Sequence, residues 1–427
     1  MADLNQGQKA AAEAFFQFLF TPGKGFIISG KAGVGKTFLM SHIIDKVIPQ
    51  YHETCKLMGI TPEFEGVTMN ATTNKAAEVL SVATGRPTGT IHSFLALKVT
   101  EDFNTGKSYL TKTRDWRVHE RQIIFIDECS MIDSELYSIL QEGTHQCKIV
   151  YVGDHNQLAP VMEKISPVYK QDYPFYELLE PMRNNGQPAL MDICAQLRNS
   201  VETGEFNPIQ IVPGVIEHLD NHEMEQQIDL MFNHQTLDTR ILAYTNKRVL
   251  QYNDHIRSLR KLPDEFIEGE YLVNNSAVKV GRRMLSVEEE VTIQKIHNRS
   301  KIEVVRDVEM EVLNVTLETR LGEYLESQIP VNRPHFAELV KYFARQKNWE
   351  RYYHLKQNFP DLRQRDSATV HKSQGSTYDS VFIDLGDIST CTHSDQAARM
   401  LYVAFSRAKN KVYLYGNLAD KYGGLTF

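Results

Sequence analysis

The stretch Phe26-Ile27-Ile28-Ser29-Gly30-Lys31-Ala32-Gly33-Val34-Gly35-Lys36-Thr37-Phe38-Leu39-Met40 settles the fold class of this chain. Phe26, Ile27 and Ile28 are an apolar run of the kind that makes a buried strand, and the spacing from Thr37 onward reads as a helix. A strand feeding a glycine turn feeding a helix aims a row of backbone N–H groups at one point. The positive end of the helix dipole falls on the same point, so the turn suits a polyphosphate. The spacing G-x-x-x-x-G-K-T adds chemistry to the turn made by Gly30, Gly33 and Gly35. Lys36 reaches β- and γ-phosphates, and the Thr37 hydroxyl takes a place on Mg²⁺. The expected ligand is ATP with Mg²⁺; the alternative is an ordinary glycine-rich turn between strand and helix.

Working outward, residues 67–71, 123–126 and 149–152 are further short apolar runs, separated by helical patterns. A second such series lies at 241–244, 381–385 and 412–415. Alternating strands and helices of this kind give an α/β fold with parallel sheets, here as two domains in tandem. Between about residues 268 and 329 the pattern changes to short, Val-rich alternation, which predicts a small β-barrel or β-sheet insertion. Phe336, Leu339, Val340 and Phe343, at i, i+3, i+4 and i+7, then predict a helix that Trp349, Tyr352 and Tyr353 continue. Its apolar face has two readings, packing on the insertion or recruiting a partner. In the first domain, residues 99–103 and 108–112 flank Asn104-Thr105-Gly106-Lys107, either a projecting hairpin or a solvated loop.

Over 427 residues, 42% hydrophobic and 24% charged, the composition is that of a soluble globular protein of two or three domains. No apolar run approaches a membrane span, and Met1-Ala2-Asp3-Leu4 lacks the opening of a signal peptide, so no membrane is expected. Five scattered cysteines with no C-x-x-C pair argue for a reducing, cytoplasmic setting. A net charge of −7 excludes a protein coated in nucleic acid but leaves room for a local basic groove.

Three further segments carry chemistry. Asp127-Glu128 follows a buried strand downstream of the glycine turn. There Asp127 would hold Mg²⁺ through its water shell and Glu128 would polarise an attacking water; a surface acidic turn is the plain alternative. Gln157, in the loop from Gly153 to Pro160, sits just past a neighbouring strand end, where an amide can touch a γ-phosphate and report its loss. Arg407 lies in an apolar helical segment, where it either makes a structural ion pair or crosses a cleft to stabilise transition-state charge. Arg183, at the boundary between the two halves, is a second candidate for that role.

Taken in order, these segments resemble the superfamily one helicases, in the branch of phage Dda and bacterial RecD, over nearly the whole chain. Gln8, in Asn5-Gln6-Gly7-Gln8-Lys9, looks like the adenine-reading glutamine. Ala71-Thr72-Thr73-Asn74-Lys75-Ala76-Ala77 and Thr90-Ile91-His92-Ser93 resemble the DNA-contacting motifs of the first domain. Arg240-Ile241-Leu242-Ala243-Tyr244-Thr245-Asn246-Lys247 resembles the segment that opens the second domain's DNA face. Thr369-Val370-His371-Lys372-Ser373-Gln374-Gly375-Ser376-Thr377 matches the motif that couples ATP to DNA, and the segment Tyr402 to Lys409 matches the last motif, with Arg407 as its arginine. One departure stands out: Ala71-Thr72-Thr73 replaces the family's frequent Ala-Pro-Thr.

The resemblance implies two tandem RecA-like domains, residues 1–185 and residues 186–267 with 366–427. A strand-separating pin around 95–117 would carry Phe103, and residues 268–365 would form the inserted barrel with its helical extension. It implies an ATP-dependent DNA helicase that moves 5′ to 3′ on single-stranded DNA and unwinds duplex or forked DNA in phage or bacterial replication, recombination or repair. The expected motor is a monomer, with replication or single-strand-binding proteins as candidate partners. Thr73, Asn74, His92, Thr245, Asn246, Thr369 and His371 would contact the strand, whose backbone small polar donors position without reading sequence, and Gly375 would lie at the nucleotide. Competing readings are an ATP-driven switch or protein-displacing translocase that does not unwind, and a helicase acting on RNA.

Overall fold

The structure, a computed structural model, describes residues 4–427 apart from 32, 106, 161–162, 164, 181–186, 282, 306–307 and 321. Its first sheet has six parallel strands in the order Phe175–Leu178, Gly25–Gly30, Lys148–Gly153, Gln122–Asp127, Gly66–Ala71, Gly89–Thr90. The strands Gly25–Gly30 and Lys148–Gly153 are buried along their whole length, as expected for a parallel sheet covered on both faces. Alternation sorts the side chains into two cores. Phe26 and Ile28 pack with Phe15, Leu39 and Phe125 on one face, while Ile27 packs with Ile124, Tyr151 and Leu136 on the other.

A second sheet has five parallel strands in the order Ile216–Leu219, Ala408–Tyr415, Tyr378–Asp384, Thr239–Ala243, Ser367–Thr369. The helices Pro188–Thr203 and Ser394–Ser406 cover one face, through Leu190, Ile193 and Leu197 against Met400, Leu401 and Phe405. Leu158, from the loop after the first sheet's Lys148–Gly153 strand, is buried in this same core. The edge strands Gly89–Thr90, Phe175–Leu178, Ile216–Leu219 and Ser367–Thr369 have no counterpart in the apolar runs, because an edge strand needs less apolar surface to be held.

The insertion is antiparallel, in the order Tyr324–Pro330, Val308–Thr319, Glu290–Val305, Tyr271–Asn274, Leu362–Gln364. Among the described residues its ends are not paired to each other; the hairpin Val278–Val280/Arg283–Leu285 contributes Val278, Val280 and Leu285 to the same core. Among the described residues the sheet is therefore open, the second of the two forms the alternation allowed, where the family resemblance implied a barrel. The separate short strands expected there merge into one of 16 residues, Glu290–Val305, whose pairing with Val308–Thr319 is broken by three register shifts. The far end of that long hairpin carries the helices Arg333–Arg345 and Trp349–Asn358. Phe343, Leu355 and Phe359 pack there on Val304, Met310 and Val312, which takes up the apolar face.

In the first domain Leu97–Glu101 and Ser108–Lys112 pair as an antiparallel hairpin. The Asp102 carboxylate accepts from the Asn104 N–H at 2.9 Å and the Thr105 hydroxyl at 2.6 Å, which closes the tip. Phe103 at that tip is 52% exposed, and its ring centroid lies 5.9 Å from that of Tyr353 on the second extension helix.

Candidate nucleotide cleft and nucleic-acid face

The glycine turn is built as a cradle. Gly33 and Gly35 have φ of 86° and 81°, in the left-handed region where a side chain is strained, and Gly35 caps the helix Lys36–His42. A Cβ on Gly30 would meet the Leu178 carbonyl oxygen at 2.8 Å. Lys36 Nζ donates to the carbonyls of Gly30 (2.6 Å) and Lys31 (3.2 Å), so the ammonium lies folded across the turn. Gln8 is fully buried beneath it. The Gln8 Oε1 accepts the Asn5 N–H in a capping box, and its Nε2 donates to the carbonyls of Val34 (3.2 Å) and Gly35 (3.4 Å). In this structure that glutamine braces the turn.

Asp127 ends its strand beside Lys36. Burial raises its carboxyl, and the Lys36 charge and the Glu128 N–H oppose the rise. Glu128 holds φ 53° and ψ 40°, the left-handed region in a residue with a Cβ, a strain that needs bracing. Burial, then the neighbouring Asp127 charge, push its carboxyl up to about 7, against Lys36 and Arg407. A carboxyl tuned close to neutrality is suited to accept a proton from water. A glycine turn at the N-terminus of the helix Lys36–His42, a lysine, the Thr37 hydroxyl and one carboxylate fit a magnesium–nucleotide.

The second domain closes over this cleft by side chains that meet the loop 153–160. Tyr402 donates its hydroxyl proton to Asp154 Oδ2 at 2.6 Å, and Arg399 Nη1 donates to the carbonyls of His155 (2.8 Å) and Gln157 (2.6 Å). The Gln157 side chain, 3% exposed, meets Gln374 Nε2 at 3.5 Å, one residue before Gly375, whose φ of 74° turns the chain. Arg407 makes no ion pair among the described residues. Its guanidinium donates to the carbonyls of Val403 (3.1 Å) and Ser376 (3.1 Å) and to Ser406 Oγ (2.8 Å), and its charge acts on Glu128. Arg183 lies outside the described residues.

The expected strand contacts lie at the same carboxyl ends of the parallel strands as the glycine turn, displaced sideways onto the strands Gly66–Ala71, Gly89–Thr90, Thr239–Ala243 and Ser367–Thr369. Thr73 caps the helix Asn74–Thr84 by accepting the Ala76 N–H at 3.2 Å, with Thr73 and Asn74 exposed. His92 sits in the short helix Ile91–Phe94, half-buried, its pKa lowered by burial against the opposing Asp133 charge. In the second domain Thr245 caps Asn246–Leu259, and its hydroxyl donates to Asp387 Oδ1 at 2.9 Å. Asn246 is exposed, 3.5 Å from Arg363 Nη1. His371 is half-buried, its ring 6.4 Å from that of Tyr244. Thr369 differs from expectation: it is 6% exposed and its hydroxyl caps the Lys372 N–H, which leaves His371 as the more accessible of the two.

A family model described as an AAA domain matches residues 14–163, and one described as a UvrD-like helicase C-terminal domain matches residues 367–415. The chain is 25% identical to the ATP-dependent DNA helicase Dda of Enterobacteria phage T4, over 96% of this chain and 99% of that one. It is 22% identical to an uncharacterized protein of Acanthamoeba polyphaga mimivirus, again over 96% of this chain and 99% of the relative. Among solved structures, Pif1 helicase from Bacteroides in complex with ADP-AlF3 and ssDNA superposes with a TM-score of 0.55 at 13% identity, covering 100% of this chain and 95% of that one. Pif1 from Candida albicans gives 0.52 at 18%, covering 99% and 97%. Together these matches support a superfamily one, ATP-dependent DNA helicase, similar to Dda over nearly the whole chain.

Several residues of this helicase's cleft escaped the sequence reading. Arg399 and Tyr402 lie about two turns and about one turn before Arg407, which caps their helix; they are an i, i+3 pair facing the loop 153–160, and that spacing was the available signal. Asp387 pins the turn that opens Asn246–Leu259 by accepting the N–H groups of Tyr244 and Thr245, each at 2.7 Å. Ser29, just before the cradle, bonds His155 Nδ1 at 2.9 Å, and Asn156 Nδ2 reaches Glu202 of the second domain at 2.8 Å. Glu290 of the insertion meets Lys75 of the first domain at 3.4 Å. No local pattern announces these, because each joins segments far apart in sequence.

Proposed function

We propose that this helicase couples ATP hydrolysis to 5′-to-3′ movement along single-stranded DNA and to separation of a duplex at a fork. One turn carries the reading. At Gln374 the segment 369–377 touches Gln157 beside the nucleotide cradle, and three residues earlier His371 lies beside Tyr244 on the face assigned to the strand. A change at the end of the phosphate chain thus has a short path to the strand.

In this mechanism Thr37 and Asp127 would hold Mg²⁺, which supplies positive charge to the phosphates. Lys36 leaves the Gly30 and Lys31 carbonyls for phosphate oxygens. Glu128 orients a water and takes its proton, with Arg407 set to stabilise charge beside it. Loss of the γ-phosphate frees Gln157, the Gln374 contact relaxes, and the two domains part. Thr73, His92, Thr245 and His371 then grip and release in alternation. Phe103, buttressed by Tyr353, stands where the duplex would be split. A single chain contains every element this cycle needs, which favours a monomeric motor; replication or single-strand-binding proteins are the partners such a motor would meet.

Strand displacement on forked substrates with 5′ or 3′ tails, in DNA and RNA versions, tests the proposal. Unwinding of 5′-tailed DNA with ATP is the expected result. Unwinding only from a 3′ tail refutes the polarity, preference for RNA refutes the substrate, and DNA-stimulated hydrolysis without displacement favours the switch.

A further inference from the structure

We infer that Thr72 is a positioning residue that ties the strand-contacting segment of the first domain to the hydrolytic Glu128. The inference rests on the motor proposed above. Thr73 and Asn74, assigned above to the strand, face solvent, but Thr72 turns inward and is 8% exposed. Its hydroxyl donates to the Glu128 carbonyl oxygen at 3.1 Å, and its N–H donates to the Asp127 carbonyl oxygen at 3.3 Å, extending the parallel ladder one step past Ala71 and Asp127. Both acceptors belong to the acidic pair.

The bond to Glu128 falls where it has most effect. Glu128 keeps a left-handed backbone, φ 53° and ψ 40°, which a residue with a side chain holds only when its surroundings brace it. Among the described residues, the Thr72 hydroxyl is the side-chain donor to that peptide's carbonyl. A proline at position 72, frequent in the resembling family, has neither N–H nor hydroxyl and could make neither bond. On the other side, the Thr73 hydroxyl accepts the Ala76 N–H at 3.2 Å and its carbonyl accepts the Ala77 N–H at 3.0 Å, so Thr73 anchors the first turn of Asn74–Thr84. A strand phosphate bound at Thr73 and Asn74 therefore pulls on a residue whose immediate neighbour holds the Glu128 backbone. Occupancy of the strand site reaches the carboxylate through two residues.

The test uses the full chain and its Thr72→Val, Thr72→Ala and Thr72→Ser variants. ATP hydrolysis is measured with and without a saturating oligothymidine, alongside affinities for a fluorescent ADP analogue and for the oligothymidine. Val and Ala are expected to lower the oligothymidine-stimulated kcat by about 3- to 10-fold, the rate equivalent of one neutral hydrogen bond. The DNA-free rate falls less, so the stimulation ratio drops; KM and both affinities stay within about twofold, and Ser restores the ratio. Unchanged ADP affinity certifies the fold, and Ala serves if the second Val methyl disturbs packing. A wild-type ratio in Val and Ala, equal loss in both rates, or no restoration by Ser overturns the inference alone. A wild-type chain that oligothymidine does not stimulate overturns the motor reading and this inference with it.

Discussion

Glu290 offers a quantitative test of how the insertion is held to the first domain. Its side chain is 6% exposed and meets four groups: Lys75 Nζ at 3.4 Å, Arg320 Nη1 at 3.3 Å, Arg365 Nε at 3.0 Å and the Tyr271 hydroxyl at 2.7 Å. Burial by itself raises a carboxyl, but the Lys75 charge, the Tyr271 hydroxyl and Arg365 outweigh it and bring Glu290 down from 4.5 to about 2. At about 1.4 kcal/mol per pH unit that drop is worth about 3 kcal/mol, and solvent around Arg320, 56% exposed, trims it to about 2–3 kcal/mol. A depressed carboxyl contributes all of this above pH 4.5 and loses it as pH falls through about 2. Glu290→Gln removes the charge and leaves Lys75, Arg320 and Arg365 facing one another, so a loss of about 2–4 kcal/mol is expected at pH 7. Urea unfolding followed by fluorescence, from pH 8 to pH 2, provides the readout. The gap between wild type and variant should be constant down to about pH 5 and then close. In a cycle with Lys75→Met, the two substitutions should couple by about 1–2 kcal/mol, which isolates the link between insertion and first domain. A gap under about 1 kcal/mol at pH 7, or one that persists at pH 2, would refute the reasoning.

Other outcomes follow from the cleft and the hairpin. Lys36→Ala should cut ATP hydrolysis and unwinding by about a hundredfold or more while leaving oligonucleotide binding in place, and unwinding at the normal rate would remove the cradle from the mechanism. Phe103→Ala should lower duplex separation severalfold more than translocation along single-stranded DNA, measured by streptavidin displacement; equal loss of both defeats the pin assignment. Arg399→Ala removes the two bonds to the His155 and Gln157 carbonyls. It should leave nucleotide affinity within about threefold and lower DNA-stimulated kcat by about tenfold. A matching loss of nucleotide affinity would mean that Arg399 merely supports the cradle.

The segment Gly30 to Thr37 could be read without a structure because its function is local. Two glycines at positive φ, a lysine and a hydroxyl within one turn need only the strand before them and the helix after them. The apolar runs of the two sheets were legible for the same reason, since burial on both faces writes itself into four to six consecutive residues. The edge strands were not, because Gly89–Thr90 and Ser367–Thr369 are held by a neighbouring strand more than by their own side chains. Arg407 shows the boundary within one residue. Its place in an apolar helix marked it as unusual, but only packing revealed that it holds the Ser376 carbonyl and makes no ion pair among the described residues. Leu158 reads as part of a Gly/Pro loop, yet it is buried in the second domain's core. Thr72 looks like a lost proline until its hydroxyl is seen on Glu128, and Glu290 looks like one more acidic residue in a strand until Lys75 arrives from the first domain. Backbone conformation and periodicity act over a few residues, so composition and spacing carry them. Contacts that join domains depend on loops closing over tens to hundreds of residues, and the folded chain alone decides which side chains meet.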